Sequence, residues 1–481
     1  MDLRPVGFLL GFLIAALGAS MLVPLGVAAL TGDGEALPLL AASLSTLFLA
    51  GLLILGLRMD RVEIDRRQGF LLTSLAWIVL PALGALPFVW SDYPISATDG
   101  VFESVSGITT TGSTVLSGLD VMDRSILLWR SMLQWLGGIG IIAMGIAILP
   151  FLKVGGMEIF RMESSDTSEK AAPRVSQLAA YLVGVYFGLT VLCGVAYWAA
   201  GMTGFEALNH AMTTVSTGGF STSDASMGHF TQTAIHWLGS LFMLLGSLPF
   251  VLYVRIVRGE PKAFRRDSQA ASLLLLLGVA SLIISVYLVM RDGLGWMDAI
   301  RHAVFNVTSI VSTTGYASDD YGLWGPFAVA AFFFLTFAGG CSGSTAGGFK
   351  IYRLQVLALT FIVSMRKLIR PHGAFVARIG AEPIDRKVSD AVLTFIVAYF
   401  VSIVGIALGL AGFGLDFDTA VSAAATAVAN VGPGIGQIIG PAGNFATLPD
   451  GAKWILCLGM LLGRLEVLTI VVLFMPDFWR P

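Results

Sequence analysis

Long runs of apolar residues, separated by short polar stretches, dominate the chain. Crossing a bilayer as a helix takes about 20 apolar residues, so these runs predict ten membrane helices, some of them interrupted. They cover residues 6–30, 37–57, 69–90, 125–150, 177–200, 231–257, 270–291, 323–368, 388–412 and 452–475. Four shorter apolar stretches cannot span a bilayer and are too apolar for exposed loops. They predict re-entrant helices at 95–108, 203–215, 296–311 and 416–429.

Composition and charge give the same picture. Of 481 residues, 56% are hydrophobic and only 12% are charged, whereas soluble domains are about 25% charged. This argues against a soluble enzyme. The predicted spans place 23 of the 29 basic residues on one side, which is therefore the cytoplasmic side and holds the N-terminus. These residues lie at 58–67, 153–174, 255–266, 350–387 and both termini. No basic stretch indicates a nucleic-acid partner.

A polar turn containing glycine follows each predicted short helix. The turns read ITTTGST, VSTGGFS, VSTTGYA and ANVGPGI. They align so that four glycines share one column: Gly112, Gly219, Gly315 and Gly432. An acidic residue lies near the start of each short helix, where the helix dipole favours negative charge: Asp99, Glu206, Asp298 and Asp418. In the second turn, the adjacent Gly218 leaves the register open by one residue.

Four units of span, short helix, turn and span predict a pseudo-fourfold ring around a central pore. A dehydrated cation needs oxygen ligands in place of its water shell, and backbone carbonyls provide them in potassium filters. Glycine permits the backbone angles that direct carbonyls at an axis. The alternative is four ordinary extracellular turns between packed helices.

The turns and two further motifs resemble the Trk/Ktr/HKT superfamily of potassium transporters, and the two additional N-terminal spans resemble its TrkH branch. GGCSGSTAGGFK at 339–350 is similar to the family's intramembrane gating loop, and GRLEVLTIVVLFMPDFWR at 463–480 is similar to its last helix. The similarity covers essentially the whole chain. It implies an all-α membrane protein with four helix–pore-helix–helix repeats around a central pore, preceded by two extra transmembrane helices.

The resemblance also assigns the site residues. The predicted K⁺-coordinating filter consists of Thr110, Thr111, Gly112, Thr217, Gly218, Gly219, Thr313, Thr314, Gly315, Asn430, Val431 and Gly432. The predicted gate consists of Gly339, Gly340, Ser342, Gly343, Ser344, Gly347, Gly348 and Arg464. The repeats are expected to divide the chain into an N-terminal two-helix domain (1–66), repeat 1 (67–152), repeat 2 (153–262), repeat 3 with a gating loop at 338–348 (263–378), and repeat 4 (379–481).

Arg464 is predicted to lie in the middle of an apolar span, where charge is costly and usually functional. We interpret it as a barrier to cations that faces the pore beside the gating loop; the alternative is a structural arginine that braces packed helices. Glu466 is two residues away, on another helix face, and is a poor partner. The gating loop itself has a simpler alternative, a helix break. Lys350 is expected toward the cytoplasm and is not assigned as a ligand.

The predicted function is gated potassium uptake, with K⁺ as the transported ion and no nucleotide on this chain. A K⁺ symporter coupled to H⁺ or Na⁺ is the alternative, but coupling needs a titratable group within the membrane, and Glu466 is the one candidate in mid-span. Neither a nucleophile with its base nor a metal-ligand motif indicates an enzyme. The resemblance implies a homodimer in the bacterial inner membrane, with a cytosolic TrkA-like nucleotide-binding regulatory subunit.

Overall fold

The computed structural model describes residues 1–59, 63–93, 95–147, 171–380 and 382–480. Its regular structure is helical, apart from a two-residue hairpin in which β1 (Arg378–Ile379) pairs with β2 (Glu382–Pro383). This confirms the predicted all-α class. The N-terminal helices are α1 (Arg4–Ser20), α2 (Leu22–Thr31) and α3 (Ala36–Gly56). They are followed by α4 (Arg66–Gly84), α5 (Leu86–Val89), α6 (Ala97–Ile108) and α7 (Arg124–Ala147).

The remaining helices follow the predicted order. In repeat 2 they are α8 (Ala171–Ala199), α9 (Gly204–Val215), α10 (Thr233–Ser247) and α11 (Phe250–Val257). Then come α12 (Ala263–Arg266), α13 (Ser268–Asp292), α14 (Trp296–Val311), α15 (Pro326–Leu335) and α16 (Ile351–Ile369). The last are α17 (Arg386–Gly412), α18 (Phe417–Ala429), α19 (Asp450–Arg464), α20 (Leu468–Val471) and α21 (Pro476–Trp479). Single 3₁₀ turns lie at Leu119–Val121, Ser226–His229, Tyr321–Leu323 and Val472–Phe474.

Several of these helices can cross a bilayer. Among the described residues, seven helices are long and apolar enough to do so, or nine when two bent pairs each count as one span. Large apolar side chains on these helices are exposed, among them Phe48, Leu55 and Leu275. Lipid tails, which are as apolar as these side chains, account for this exposure.

Three spans are broken rather than continuous. The helices α10 and α11 meet at 90°, beside Pro249, which cannot donate the hydrogen bond that an unbroken helix requires there. The helices α19 and α20 meet at 102°, and Glu466 between them has a positive φ of 55°. The structure therefore corrects the predicted runs 231–257 and 452–475. The third break, between Leu335 and Ile351, was expected from the glycine and serine content of that stretch.

The four short helices α6, α9, α14 and α18 lie where the sequence predicted them. Three begin with a side-chain cap: Ser96, Thr203 and Asp416 each accept a hydrogen bond from the backbone N–H three residues later. Each helix carries its predicted acidic residue in its first turn. The opposite, C-terminal ends lead directly into the glycine turns.

Glycines in the spans hold the short helices in place. A methyl group on Gly137 of α7 would lie 1.9 Å from the Ile108 carbonyl oxygen, at the end of α6. A methyl on Gly463 of α19 would lie 2.1 Å from the carbonyl oxygen of Val428, near the end of α18. Only a residue without a side chain lets a span pass this close. Close packing of this kind fixes where α6 and α18 end.

Both termini and the start of α4 lie at one end of the molecule. The Gln68 amide donates to the Asp2 carbonyl over 2.7 Å, and the Arg67 guanidinium contacts the carbonyl of Arg480. The charge pattern predicts only that these segments share one side of the membrane. The basic group at 153–174 and the boundary between repeats 1 and 2 fall almost wholly outside the described residues, so the structure does not address them.

Candidate cation pathway

The four glycine turns, which we call the filter turns, share one backbone conformation. Two residues before each column glycine, φ is positive although the residue is not glycine: 52° at Thr110, 52° at Thr217, 58° at Thr313 and 55° at Asn430. The column glycines have φ values of 87°, 79°, 81° and 106° in chain order. Such angles are costly for residues with side chains, so their recurrence indicates a common constraint. The repeated pair also sets the register of the second turn, with Gly219 in the column.

One backbone hydrogen bond also recurs at the same position in all four filter turns. The residue just before each column glycine donates its N–H to the carbonyl five residues earlier, inside the preceding short helix. The donors are Thr111, Gly218, Thr314 and Val431, and the N···O distances are 2.9, 2.8, 2.8 and 3.1 Å. Each turn is thus tied to the end of its own helix.

The filter turns close into a ring. A methyl group on Gly112 would lie 2.3 Å from the Gly218 carbonyl oxygen, and one on Gly219 would lie 1.8 Å from that of Thr314. The same contact joins Gly315 to the Val431 oxygen at 2.0 Å, and Gly432 to the Thr111 oxygen at 2.8 Å. Each column glycine therefore abuts the carbonyl that precedes the column glycine of the next repeat. The contacts therefore run from the first filter turn to the second, third and fourth, and from the fourth back to the first.

A cavity of about 300 Å³ lies on one side of this ring. All four column glycines line it, together with hydroxyl-bearing residues such as Ser113 and Thr114. Asp224 lies at its edge, where its carboxylate accepts hydrogen bonds from the N–H groups of Gly118 and Leu119. The cavity therefore borders the ring at all four column glycines.

The predicted gating loop lies against the other side of the ring. The N–H of Gly347 donates to the Thr313 hydroxyl over 2.7 Å, and the Thr217 hydroxyl lies 3.3 Å from that of Thr345. The Thr345 hydroxyl also lies 3.0 Å from the carbonyl oxygens of both Val215 and Gly246. Residues of the loop thus bond to the filter turns themselves.

The other predicted gate residues make up the same irregular segment. Gly339, Gly343 and Gly348 have positive φ values of 75°, 78° and 72°, which end the helical path after α15. Gly340 and Ser342 lie beside the loop's anchors, where Cys341 N–H donates to the Ser247 carbonyl. Ser344 is buried, and its hydroxyl donates to the Cys341 carbonyl.

Arg464 is the last residue of α19 and not, as predicted, in the middle of a continuous span. Its guanidinium donates to the Thr345 carbonyl over 3.0 Å and lies 5.9 Å from the Trp77 ring centroid. Its side chain is buried, and its Nε and Nη2 atoms have no hydrogen-bond partner among the described residues. The structure therefore places the positively charged side chain of Arg464 directly against the predicted gating loop.

Two neighbouring charges complete this region. Glu466 forms an ion pair with Arg353 at 2.7 Å rather than with Arg464, as the helix geometry predicted. The Arg353 guanidinium also lies 3.7 Å from the Phe395 ring centroid. Lys350, expected toward the cytoplasm, instead folds back so that its ammonium donates to the Ala346 carbonyl of the gating loop.

Comparison with known proteins identifies the architecture. A family model for TrkH, described as a cation transport protein, matches residues 40–480. The chain belongs to the TrkH family of cation transport proteins. This confirms the sequence-based resemblance and the prediction of a transporter rather than an enzyme.

Individual relatives of this TrkH-family chain match along its length. The Trk system potassium uptake protein TrkI of Halomonas elongata is 52% identical, covering 87% of this chain and 85% of its own. The Trk system potassium uptake protein TrkH of Vibrio parahaemolyticus is 37% identical over the whole of both chains. The crystal structure of the potassium transporter TrkH from the same organism matches all of both chains, with a TM-score of 0.93. The fold is therefore that of a multi-pass membrane protein.

Sequence reasoning missed three buried side chains around the filter turns of this TrkH-family chain. Glu103 on α6 and Arg130 on α7 form an ion pair at 2.8 Å, both fully buried. The Gln134 amide donates to the Gly218 carbonyl over 2.6 Å, and its oxygen accepts from the Phe220 N–H. A signal was present, because a buried charge in a span needs a partner, and Glu103 was the available carboxylate on the adjacent short helix.

Proposed function

We propose that the chain conducts potassium passively through the ring of filter turns, as the membrane subunit of a potassium uptake system. The observation that carries this proposal is the cyclic contact of the four column glycines with the carbonyls of the next repeat. Backbone oxygens arranged in rings are the ligands that replace the hydration shell of K⁺. Within the described residues, no group of three or more His, Cys, Asp or Glu side chains is placed to hold a metal ion.

Two levels of oxygen ligands fit this function. We call the level next to the column glycines the upper level. It consists of the carbonyls of Thr111, Gly218, Thr314 and Val431. The lower level consists of the carbonyls of Thr110, Thr217, Thr313 and Asn430, the residues with left-handed backbone. With one glycine per repeat, this filter is shorter than one built from the sequence TVGYG, and we expect its preference for K⁺ over Na⁺ to be modest.

The gating loop and Arg464 are proposed to close the pathway. The loop bonds to Thr217 and Thr313 at the lower edge of the ring, so an ion leaving the ring meets the loop. The guanidinium of Arg464 adds a positive charge at the same place. Opening then requires that the loop withdraw from the ring and that this charge be displaced or shielded.

The arrangement of buried carboxylates favours passive conduction over symport. A coupled carrier needs a group that gains and loses a proton or an ion within the membrane. Glu103, behind the first filter turn, and Glu466, after Arg464, each lie within 2.8 Å of an arginine nitrogen. Each of these carboxylates is therefore held by a fixed cationic partner inside the protein.

The remaining features of the proposal concern assembly. We propose a homodimer in the bacterial inner membrane, with the N-terminus in the cytoplasm and the division into domains expected from the sequence. A cytosolic TrkA-like subunit that binds a nucleotide would dock on the basic end of the molecule. Exposed basic residues support such a face; they are Arg258, Lys262, Arg265, Arg266, Arg366, Lys367, Arg370, Arg386 and Lys387. Their simpler explanation is the cytoplasmic excess of basic residues in any membrane protein.

Flux measurements in liposomes test the proposal. The purified chain is reconstituted, and the reversal potential is measured with a K⁺ gradient alone and with a proton or Na⁺ gradient at equal K⁺ on both sides. Passive conduction predicts a potential that follows only the K⁺ gradient. Net K⁺ flux that tracks the proton or Na⁺ gradient would identify a symporter instead.

A further inference from the structure

Each short helix holds the outgoing limb of its own filter turn through one buried polar side chain. In the first three repeats this residue lies nine positions before the column glycine, and in the fourth it lies ten positions before. The four residues are Glu103, His210, Asn306 and Ser422, and each is at least 96% buried. We call them the clamp residues. Because they carry four different functional groups, aligning the four repeats of this chain with one another does not reveal them.

The contacts of the clamp residues are equivalent. Each binds the chain two or three residues beyond the column glycine. Glu103 accepts from the Thr114 hydroxyl at 3.0 Å and from the Val115 N–H at 3.0 Å. The Nε2 of His210 lies 3.0 Å from the Ser221 hydroxyl. Since the Nδ1 of His210 faces a carbonyl at 2.8 Å, Nδ1 carries the proton and Nε2 accepts.

The third and fourth repeats use neutral side chains for the same contact. The Asn306 amide donates to the Ser318 hydroxyl at 2.9 Å, and its oxygen accepts from the Ser318 N–H at 3.2 Å. The Ser422 hydroxyl donates to the Ile435 carbonyl at 3.1 Å and accepts from the N–H of the same residue at 3.2 Å. Every repeat thus fixes its filter turn at both ends, by the backbone before the glycine and by a side chain after it.

The first clamp differs because it is charged and reaches a second repeat. Arg130 donates to Glu103 at 2.8 Å, to the Thr114 hydroxyl at 3.2 Å and to the Ser221 carbonyl at 3.0 Å. Ser221 is also the residue that His210 holds. A continuous chain of hydrogen bonds therefore connects the outgoing limb of the first filter turn to that of the second.

We propose that the clamp residues are positioning residues for ion selectivity, and that the Glu103–Arg130 pair couples the first two filter turns. This inference rests on the proposed function. Discrimination between K⁺ and Na⁺ depends on where the coordinating carbonyls lie and how freely they move. Fully satisfied buried networks hold their members rigidly. The clamped residue is two or three positions from the column glycine, so releasing it frees the carbonyls beside that glycine.

The test compares clamp variants with a matched ion-pair variant by their K⁺/Na⁺ permeability ratio in liposomes. Thr114→Val removes the hydroxyl that both Glu103 and Arg130 contact while keeping the shape of the side chain. Ser422→Ala removes the hydroxyl of the clamp residue itself in the fourth repeat. We expect each to lower the ratio by about three- to tenfold, the factor that corresponds to one hydrogen bond, without loss of folded protein. Glu103→Gln, which removes the charge, is expected to lower it at least as much.

The control is Asp99→Asn at the other end of α6. It breaks the Asp99–Lys453 pair, whose atoms are 2.6 Å apart and in which Lys453 is buried and Asp99 partly exposed. Asp99 touches no filter turn, so the variant should lower thermal stability and leave the ratio unchanged. Unaltered ratios in both Thr114→Val and Ser422→Ala would overturn the inference, as would an equal loss in Asp99→Asn. Gly315→Ser, measured in parallel, separates the two proposals. If it changes the ratio and the clamp variants do not, only the clamp inference fails, whereas an unchanged ratio in Gly315→Ser rejects the filter itself.

Discussion

Replacing Gly315 by serine tests the filter geometry at one of the close contacts between neighbouring filter turns. Gly315 has a φ of 81°, a conformation that costs a residue with a side chain about 1–3 kcal/mol. The new Cβ atom would lie 2.0 Å from the Val431 carbonyl oxygen and 2.8 Å from Pro433 Cδ. Carbon–oxygen contacts in proteins are about 3.3 Å or longer, so the carbonyl must move by more than about 1 Å.

A displacement of this size removes most of the favourable interaction free energy between one carbonyl oxygen and the ion. Hydrogen bonds to charged groups contribute about 1.5–3 kcal/mol, and each 1.4 kcal/mol corresponds to a factor of ten. We therefore expect Gly315→Ser to lower the K⁺/Na⁺ permeability ratio at least about tenfold, measured as a reversal-potential shift in proteoliposomes.

Gly278→Ser is the matched control, because Gly278 lies within α13 and a methyl group there would meet no atom within 4 Å. It should retain the ratio of the unaltered protein. If Gly315→Ser folds, conducts and keeps that ratio as well, the assignment of the filter turns is refuted.

Three further variants examine the gate and the buried charges. Arg464→Ala should raise basal K⁺ flux about fivefold or more, because a nearby unit charge contributes at least about 1 kcal/mol; unchanged flux and gating would reject the barrier. Glu466→Gln should lower the apparent melting temperature in detergent, since it leaves Arg353 buried without its partner at a cost of about 3–5 kcal/mol; an unaltered melting temperature would contradict this. Burial raises the pKa of Glu35 to about 7, so the folded protein keeps a proton that the unfolded chain loses above pH 4.5. Stability should therefore fall from pH 5 to pH 8 by up to about 3 kcal/mol, and a Glu35→Gln variant with the same pH dependence would refute that origin.

The periodic features of this fold could be predicted from the sequence. The short helices were located because an apolar stretch too short to span, followed by glycine and threonine, recurs four times. Repetition made each copy evidence for the others. The left-handed backbone at Thr110 and Asn430 was not predicted, because the sequence analysis assigned such angles only to the glycines.

Features that depend on a single non-local contact could not be predicted. Arg464 was expected beside the gating loop, but its apolar surroundings wrongly placed it in the middle of a span, whereas it is the last residue of α19. The bend after α19 follows from local backbone geometry at Glu466, which hydropathy does not register. Glu103 and Arg130 are 27 residues apart on different helices, and their pairing becomes evident only when the helices pack.

The central claim is that cations bind within the ring formed by the four filter turns. Crystals of the protein grown with Rb⁺, which replaces K⁺ and scatters anomalously, test it most directly. The account predicts an anomalous peak on the axis of the ring, at the level of the carbonyls of Thr111, Gly218, Thr314 and Val431. That peak should weaken or vanish in Gly315→Ser. A ring without a peak, while Rb⁺ occupies another position in the same molecule, would contradict the account.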